Sequence, residues 1–204
     1  MTNRKINVTR PLIPPLEEYQ PYLKKIWKKG IFTNKGPFHE ELERKLEKYL
    51  KVKYLSLFSS GTTALITSLF ASNIKGEVIT TPYSFVATAN SILWAGARPV
   101  FVDIDPISMN IDPSKIQRAI NKNTTAIMPV HSYGNPCDVS KIKKIAKKNN
   151  LKVIYDAAPS FGVTDRGGSI LRHGDLSVLS FHATKVFSTI EGGAIISPTL
   201  KMKA

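Results

Sequence analysis

Tyr54-Leu55-Ser56-Leu57-Phe58-Ser59-Ser60-Gly61-Thr62-Thr63-Ala64-Leu65 is the stretch that decides the fold class. An apolar, aromatic run of β character (Tyr54–Phe58) meets a turn of small residues. A helical run, Thr62–Ala71, follows at once. Downstream the unit repeats. Glu77–Thr81, Pro99–Ile104, Thr125–Val130 and Lys152–Tyr155 read as strands. Ala87–Ala95, Pro113–Ile120 and Val139–Asn149 read as the helices between them. Five strands alternating with helices is the pattern of parallel βαβ units. Two further apolar runs, Leu176–Phe181 and Ala194–Ile196, are joined by a loop containing Gly192-Gly193 with no full helix. A short link of that kind favours antiparallel pairing. The expectation is an α/β protein: a seven-stranded, mostly parallel sheet with helices on both faces.

Outward from this core the chain is less regular. Residues 1–37 are rich in breakers (Pro11, Pro14, Pro15, Pro21, Gly36-Pro37), with room for one helix at about Leu16–Lys29. In His39–Leu50, Leu42, Leu46, Tyr49 and Leu50 fall at helical spacing among charges. No internal repeat or low-complexity linker is present. The division expected is an N-terminal irregular and helical segment, 1–37, and one α/β domain, 38–204.

Composition excludes several classes. The chain has 204 residues and 42% hydrophobic residues, enough for a sizeable core and too many for a disordered chain. Its one cysteine, Cys137, rules out a disulfide scaffold and a multi-cysteine metal site, and a reducing, cytoplasmic home is expected. No apolar run is long enough for a membrane span, and the N-terminus lacks the apolar core of a signal peptide. The net charge of +14 invites a nucleic-acid reading. The lysines are spread, however, over Lys24–Lys29, Lys45–Lys53, Lys141–Lys148 and Lys201–Lys203. In the third group Ile142, Ile145 and Ala146 form an apolar stripe opposite a solvated lysine face. No nucleic-acid-binding pattern accompanies the charge, so no nucleic-acid partner is expected. The field is compatible with an anionic small molecule.

In open α/β sheets ligands bind beyond the carboxyl ends of the strands, so the residues just after each strand carry the chemical reading. After the first come Ser59-Ser60-Gly61-Thr62-Thr63, where N–H groups at a helix N-terminus and neighbouring hydroxyls make an anion cradle; helix capping by Ser60 or Thr62 explains the same residues. After the second come Thr81-Pro82-Tyr83-Ser84-Phe85, whose rings suit core packing or stacking on a planar cofactor. Asp156 ends an apolar strand, where a carboxylate needs a cation or donors, or else caps the next turn. Lys185 follows Ser180-Phe181-His182-Ala183-Thr184. Desolvation there would lower an amine's pKa and leave it free to form a Schiff base, while a plain surface lysine is the alternative. His131 follows the fourth strand and either lines the same pocket or sits in the core. No G-x-S-x-G, H-E-x-x-H or C-x-x-C is present, and the four histidines show no ligand spacing; no metal is expected.

The ordered set resembles one family along nearly the whole chain. It comprises Ile6-Asn7-Val8-Thr9-Arg10-Pro11, Thr33-Asn34-Lys35-Gly36-Pro37, Ser60-Gly61-Thr62-Thr63-Ala64-Leu65, Thr81-Pro82-Tyr83-Ser84-Phe85-Val86-Ala87-Thr88, Phe101-Val102-Asp103-Ile104-Asp105, Met128-Pro129-Val130-His131, Tyr155-Asp156-Ala157-Ala158, Ser180-Phe181-His182-Ala183-Thr184-Lys185 and Glu191-Gly192-Gly193-Ala194. The family is the DegT/DnrJ/EryC1/StrS group of pyridoxal-phosphate sugar aminotransferases, of fold-type I. The resemblance implies that Lys185 is catalytic and holds pyridoxal 5'-phosphate. It further implies that Asp156 pairs with the cofactor's ring nitrogen, that Gly61, Thr62 and Ser180 bind its phosphate, and that Phe85 stacks on its ring. The reaction implied moves an amino group from glutamate to a nucleotide-linked keto-6-deoxysugar of the dTDP type, in a homodimer. A dehydratase of the same family would carry His in place of Lys185. Two positions depart from the family pattern: Pro159, where Gln or His is common, and Ser188, where Asn is usual. Family members are also much longer, so the resemblance implies that the C-terminal small domain is missing. The competing expectation is therefore an inactive, truncated fragment that at most binds the cofactor or a partner.

Overall fold

The structure is a computed structural model and describes residues 7, 9–33 and 35–199. The motif positions Ile6, Val8 and Asn34, and the lysines of the 200–204 tail, lie outside the described residues. Six α-helices are described: α1 (Leu16–Lys29), α2 (Pro37–Leu50), α3 (Gly61–Ala71), α4 (Val86–Trp94), α5 (Pro113–Ala119) and α6 (Val139–Lys148). The strands are β1 (Tyr54–Phe58), β2 (Glu77–Thr80), β3 (Arg98–Phe101), β4 (Thr124–Ile127), β5 (Lys152–Asp156), β6 (Thr164–Asp165), β7 (Gly168–Ser169), β8 (Leu176–Ser180) and β9 (Gly193–Ser197).

Seven of these strands form one sheet in the order β1-β9-β8-β5-β4-β2-β3, and β6 with β7 makes a separate two-stranded hairpin. The pairs β2–β3, β2–β4, β4–β5 and β5–β8 are parallel, whereas β9 runs antiparallel to both β8 and β1. The sheet is therefore mostly parallel, and its inverted strand is the one reached by the short Gly192-Gly193 link. The hairpin has no counterpart in the sequence reading, because two-residue strands leave no periodicity to detect.

Alternation along the strands sorts side chains onto two faces. Val78, Ala126, Ile154, Val178 and Ile195 pack with Leu65 and Leu69 of α3 and Ile92 of α4. Their neighbours Ile79, Ile127, Val153 and Tyr155 pack with Ile116 of α5 and with Ile142 and Ala146 of α6. Leu179, Ala194 and Ile196 meet Leu46 and Leu50 of α2 on that second face. Helices thus cover both faces, as expected. The lysine-faced helix α6 buries Ile142 and Ala146 and exposes its cations.

Local chemistry sets the element ends. Asp112 and Asp138 cap α5 and α6 by accepting from Ser114 and Lys141 N–H. At the sheet edge, Glu47 Oε1 accepts from Leu55 N–H at 2.9 Å and Glu43 Oε1 from Leu57 N–H at 3.1 Å, so α2 satisfies donors that an edge strand would leave bare. Helix α1 carries Pro21 in its interior and buries none of its residues.

Candidate functional site

The parallel strands β1, β2, β4, β5 and β8 end on one edge of the sheet, and β9 begins there. The turn Ser59–Gly61 leaves β1 and enters α3. Ser60 caps this helix reciprocally: its Oγ accepts from Thr63 N–H at 3.1 Å, and Thr63 Oγ1 accepts from Ser60 N–H at 3.2 Å. Of the helix's first donors this leaves the N–H groups of Gly61 and Thr62 pointing outward at the positive end of the helix dipole. Capping and the anion cradle are therefore not rivals. Ser60 does the first, and frees Gly61 and Thr62 for the second.

Two glycines bring this turn against β8 and β9. A Cβ at Gly61 would lie 2.8 Å from Ser180 Cβ, and one at Gly193 would lie 2.6 Å from the Ser60 carbonyl and the Gly61 nitrogen. Only glycine at both positions lets the helix N-terminus approach so closely. Ser180, nearly buried, thus lies beside Gly61, with its Oγ accepting from His182 N–H at 3.4 Å.

Asp156 ends β5 at 4% exposure. Its Oδ2 accepts from Thr88 Oγ1 at 2.7 Å and its Oδ1 from Ala158 N–H at 3.1 Å. Burial pushes the carboxyl's pKa up. The Thr88 and Ala158 hydrogen bonds and the charge of Lys185 act the other way and do not cancel it. Lys185 sits half-buried in the turn after β8, its N–H donating to the His182 carbonyl at 2.9 Å. Phe85 occupies the N-cap position of α4 and is 76% exposed, three residues before Thr88. Gly61, Thr62, Ser180, Asp156, Lys185 and Phe85 therefore all stand on the carboxyl edge. Direct contact is seen between Gly61 and Ser180, and Asp156 feels the charge of Lys185.

Sequence reasoning offered Tyr83 only as a packing or stacking ring, and singled out neither Thr88 nor Tyr133. Thr88 sits within the quoted Tyr83–Thr88 stretch, and helical spacing from Phe85 would have placed it on the same end of α4. Tyr83 and Tyr133 hydroxyls share a 2.6 Å hydrogen bond across the loops after β2 and β4. Tyr133 holds φ 56°, a left-handed conformation no sequence signal announces. His131 belongs to the core. It is fully buried, stacks on Tyr155 at 4.6 Å, and accepts from Cys137 N–H on Nδ1 at 3.0 Å. Burial lowers its pKa to about 4 and raises that of Cys137 to about 12, so neither is charged near neutrality. Pro159 follows Ala158 as the sequence has it, and its carbonyl lies 3.0 Å from where a Cβ on Gly134 would be. Ser188 accepts from Ile190 N–H at 2.9 Å. Among the described residues no group of acidic, histidine or cysteine side chains could hold a metal, and no helix is long and apolar enough to cross a membrane.

A mostly parallel seven-stranded sheet covered by helices on both faces, with a helix N-terminus, a buried carboxylate and a lysine whose charge it feels at the carboxyl edge, is the arrangement of a fold-type I pyridoxal-phosphate enzyme's large domain. Residues 16–203 match the DegT/DnrJ/EryC1/StrS aminotransferase family, and the chain belongs to it. The family's aminotransferases depend on pyridoxal phosphate. A Shigella dysenteriae protein named dTDP-4-amino-4,6-dideoxy-D-glucose transaminase is 64% identical over 200 residues, which cover 98% of this chain and 54% of the relative. Among solved structures, that of DesI in the presence of its TDP-sugar product superposes with a TM-score of 0.92 at 31% identity, covering 95% of this chain and 50% of DesI. NtdA from Bacillus subtilis with bound cofactor PMP gives 0.86 at 36%, covering 100% of this chain and 48% of NtdA. The chain spans about half the length of the curated relatives it matches.

Proposed function

We propose that this chain carries the pyridoxal-phosphate site of an aminotransferase that moves an amino group from glutamate to a nucleotide-linked keto-6-deoxysugar of the dTDP type, in deoxysugar or surface-polysaccharide biosynthesis. The observation that carries the reading is the carboxylate of Asp156: buried at the sheet's carboxyl edge, met by two neutral donors, and suited to a cationic ring N–H.

The residues fit the cofactor group by group. The outward N–H groups of Gly61 and Thr62, with the hydroxyls of Thr62 and Ser180, would bind the phosphate at the N-terminus of α3. Phe85, exposed at the head of α4, would lie against the ring face. Asp156 would accept from the ring nitrogen and keep it protonated. Bound there, pyridoxal phosphate supplies an electron sink for the carbon bearing the amino group. Lys185 would hold the cofactor through its Nζ and, once released, take up and return the proton of the carbon bearing the amino group. The Tyr83–Tyr133 pair stands on the same edge, where a sugar would enter. A cytoplasmic location and a homodimer go with this reading; the relatives' names and the DesI complex support the nucleotide-sugar substrate class.

The test is direct. Pyridoxal phosphate added to the purified chain should give a visible absorbance band that is lost in Lys185→Ala. Glutamate should then discharge that band by converting the cofactor to its amine form. Absence of a lysine-dependent band overturns the reading. A band that glutamate leaves untouched reduces the chain to a cofactor-binding piece without turnover.

A further inference from the structure

Thr88 is fully buried in the first turn of α4, a place where a threonine hydroxyl commonly satisfies itself on its own helix. Here it reaches across to β5 instead, and its Oγ1 donates to Asp156 Oδ2 at 2.7 Å. Ala158 N–H holds the other carboxylate oxygen at 3.1 Å. Two donors on two oxygens set the plane of the carboxyl group, and each oxygen keeps a lone pair for a third partner. Thr88 also lies one helical turn beyond Phe85, so its bond ties the end of α4 that carries the ring to the strand that carries the acid.

We infer that Thr88 is a positioning residue for the proposed cofactor: its hydroxyl fixes the Asp156 carboxylate in the orientation that receives the ring nitrogen. The inference rests on the function proposed above and adds to it a residue that acts through Asp156. Valine at this position keeps the shape and removes the donor; serine keeps the donor and removes a methyl group.

The experiment compares wild type with Thr88→Val, Thr88→Ala and Thr88→Ser in two measurements. The first is the titration midpoint of the Asp156 carboxyl in cofactor-free protein, followed by carboxyl-carbon NMR. The second is the dissociation constant for pyridoxal phosphate, read from the Lys185-dependent band. A hydrogen bond to a charged group predicts that valine and alanine weaken the cofactor's binding by roughly tenfold or more and raise the Asp156 midpoint. Serine should stay close to wild type in both. A valine variant matching wild type in both measurements overturns the inference, as does a serine variant no better than alanine. If the valine variant fails to fold, the alanine and serine pair decides. If wild type itself gives no Lys185-dependent band, the proposed function falls, and the Asp156 midpoints still settle whether Thr88 acts on that carboxyl.

Discussion

The two edges of this sheet treat buried charge in opposite ways. At the amino edge, Glu77 opens β2 at 3% exposure and is answered in full: Asn121 Nδ2 donates to its Oε2 at 2.8 Å and the Arg98 guanidinium to its Oε1. The Asn121 hydrogen bond first, and Arg98 after it, hold its carboxyl below the usual range despite burial. Asp175, just before β8, is likewise met by Lys152 Nζ at 3.0 Å and Val153 N–H at 2.8 Å. At the carboxyl edge, Asp156 is equally buried, and among the described residues its hydrogen bonds come from the neutral Thr88 hydroxyl and Ala158 N–H. An acid at the terminus of an apolar strand makes a staple in one place and has no ion-pair partner in contact in the other. What separates them is whether a cation lies in contact.

The sharpest way to break this contrast is to neutralise both acids. In Asp156→Asn the amide can still accept from Ala158 and donate to Thr88, so the fold survives while the ring nitrogen loses its charged partner. The glutamate half-reaction should fall by on the order of 100-fold or more. Cofactor-free protein should be at least as stable as wild type at neutral pH. The sign follows from the raised pKa of Asp156: its contribution to stability is present while the carboxyl is protonated and is lost as pH rises from the ordinary carboxylate range through the folded value. Glu77→Gln should do the reverse, lowering the thermal midpoint by a few degrees with the half-reaction of the folded protein unchanged. Equal losses of stability in the two variants would erase the distinction between the edges.

Much of this organisation could be read from residue order, and the rest could not for physical reasons. The Tyr54–Leu65 unit and its repeats announce a parallel sheet because buried strands and amphipathic helices have different periods. The Gly192-Gly193 link announces the one inverted strand. The candidate residues stood out because each lies at, or soon after, the carboxyl end of a strand. Contacts between distant segments leave no such local mark. Nothing in the spacing of Thr88 and Asp156 reveals their bond, and nothing near Tyr133 reveals its left-handed turn. Ser60 and Gly61 are an intermediate case. The residues show a cap or a cradle, and only the folded turn shows that capping Thr63 is what leaves Gly61 and Thr62 open.

A second, smaller test uses His131, which follows β4 on the carboxyl-edge side and is buried as a neutral ring. Burial lowers its pKa to about 4 from 6.5, so between those values the unfolded chain binds the extra proton. Stability should therefore climb as pH rises through that window and level off above it, by at most about 3 kcal/mol. Asp156 slopes the other way, so the climb should be steeper in Asp156→Asn. Urea midpoints measured near neutrality and near pH 4 check this, with His131→Asn, whose Oδ1 can still accept from Cys137 N–H, expected to flatten the profile. An unchanged slope in that variant would remove His131 from the buried groups whose titration shapes the profile.

The smallest effect concerns backbone strain at one position on the carboxyl edge. Ile190, in the loop between Lys185 and β9, holds φ 72° with its side chain 61% exposed. A β-branched residue is unfavourable there by roughly 1–3 kcal/mol, and its neighbours hold it in place: its N–H donates to Ser188 Oγ at 2.9 Å, and Thr189 N–H donates to the Phe181 carbonyl at 2.9 Å. Ile190→Gly removes the strain and adds back about 0.5–1 kcal/mol of chain entropy to the unfolded state. The net gain in stability should be small, a degree or two in thermal midpoint, and it separates two accounts of the loop. If the strained turn serves only to close the link from β8 to β9, pyridoxal phosphate should bind Ile190→Gly as it binds wild type. If the strain holds Lys185 toward Asp156, the variant should gain stability and lose cofactor affinity together. That trade would place backbone strain beside uncompensated charge as a property of the carboxyl edge, and the amino edge, whose described acids are paired, should offer no variant that makes it.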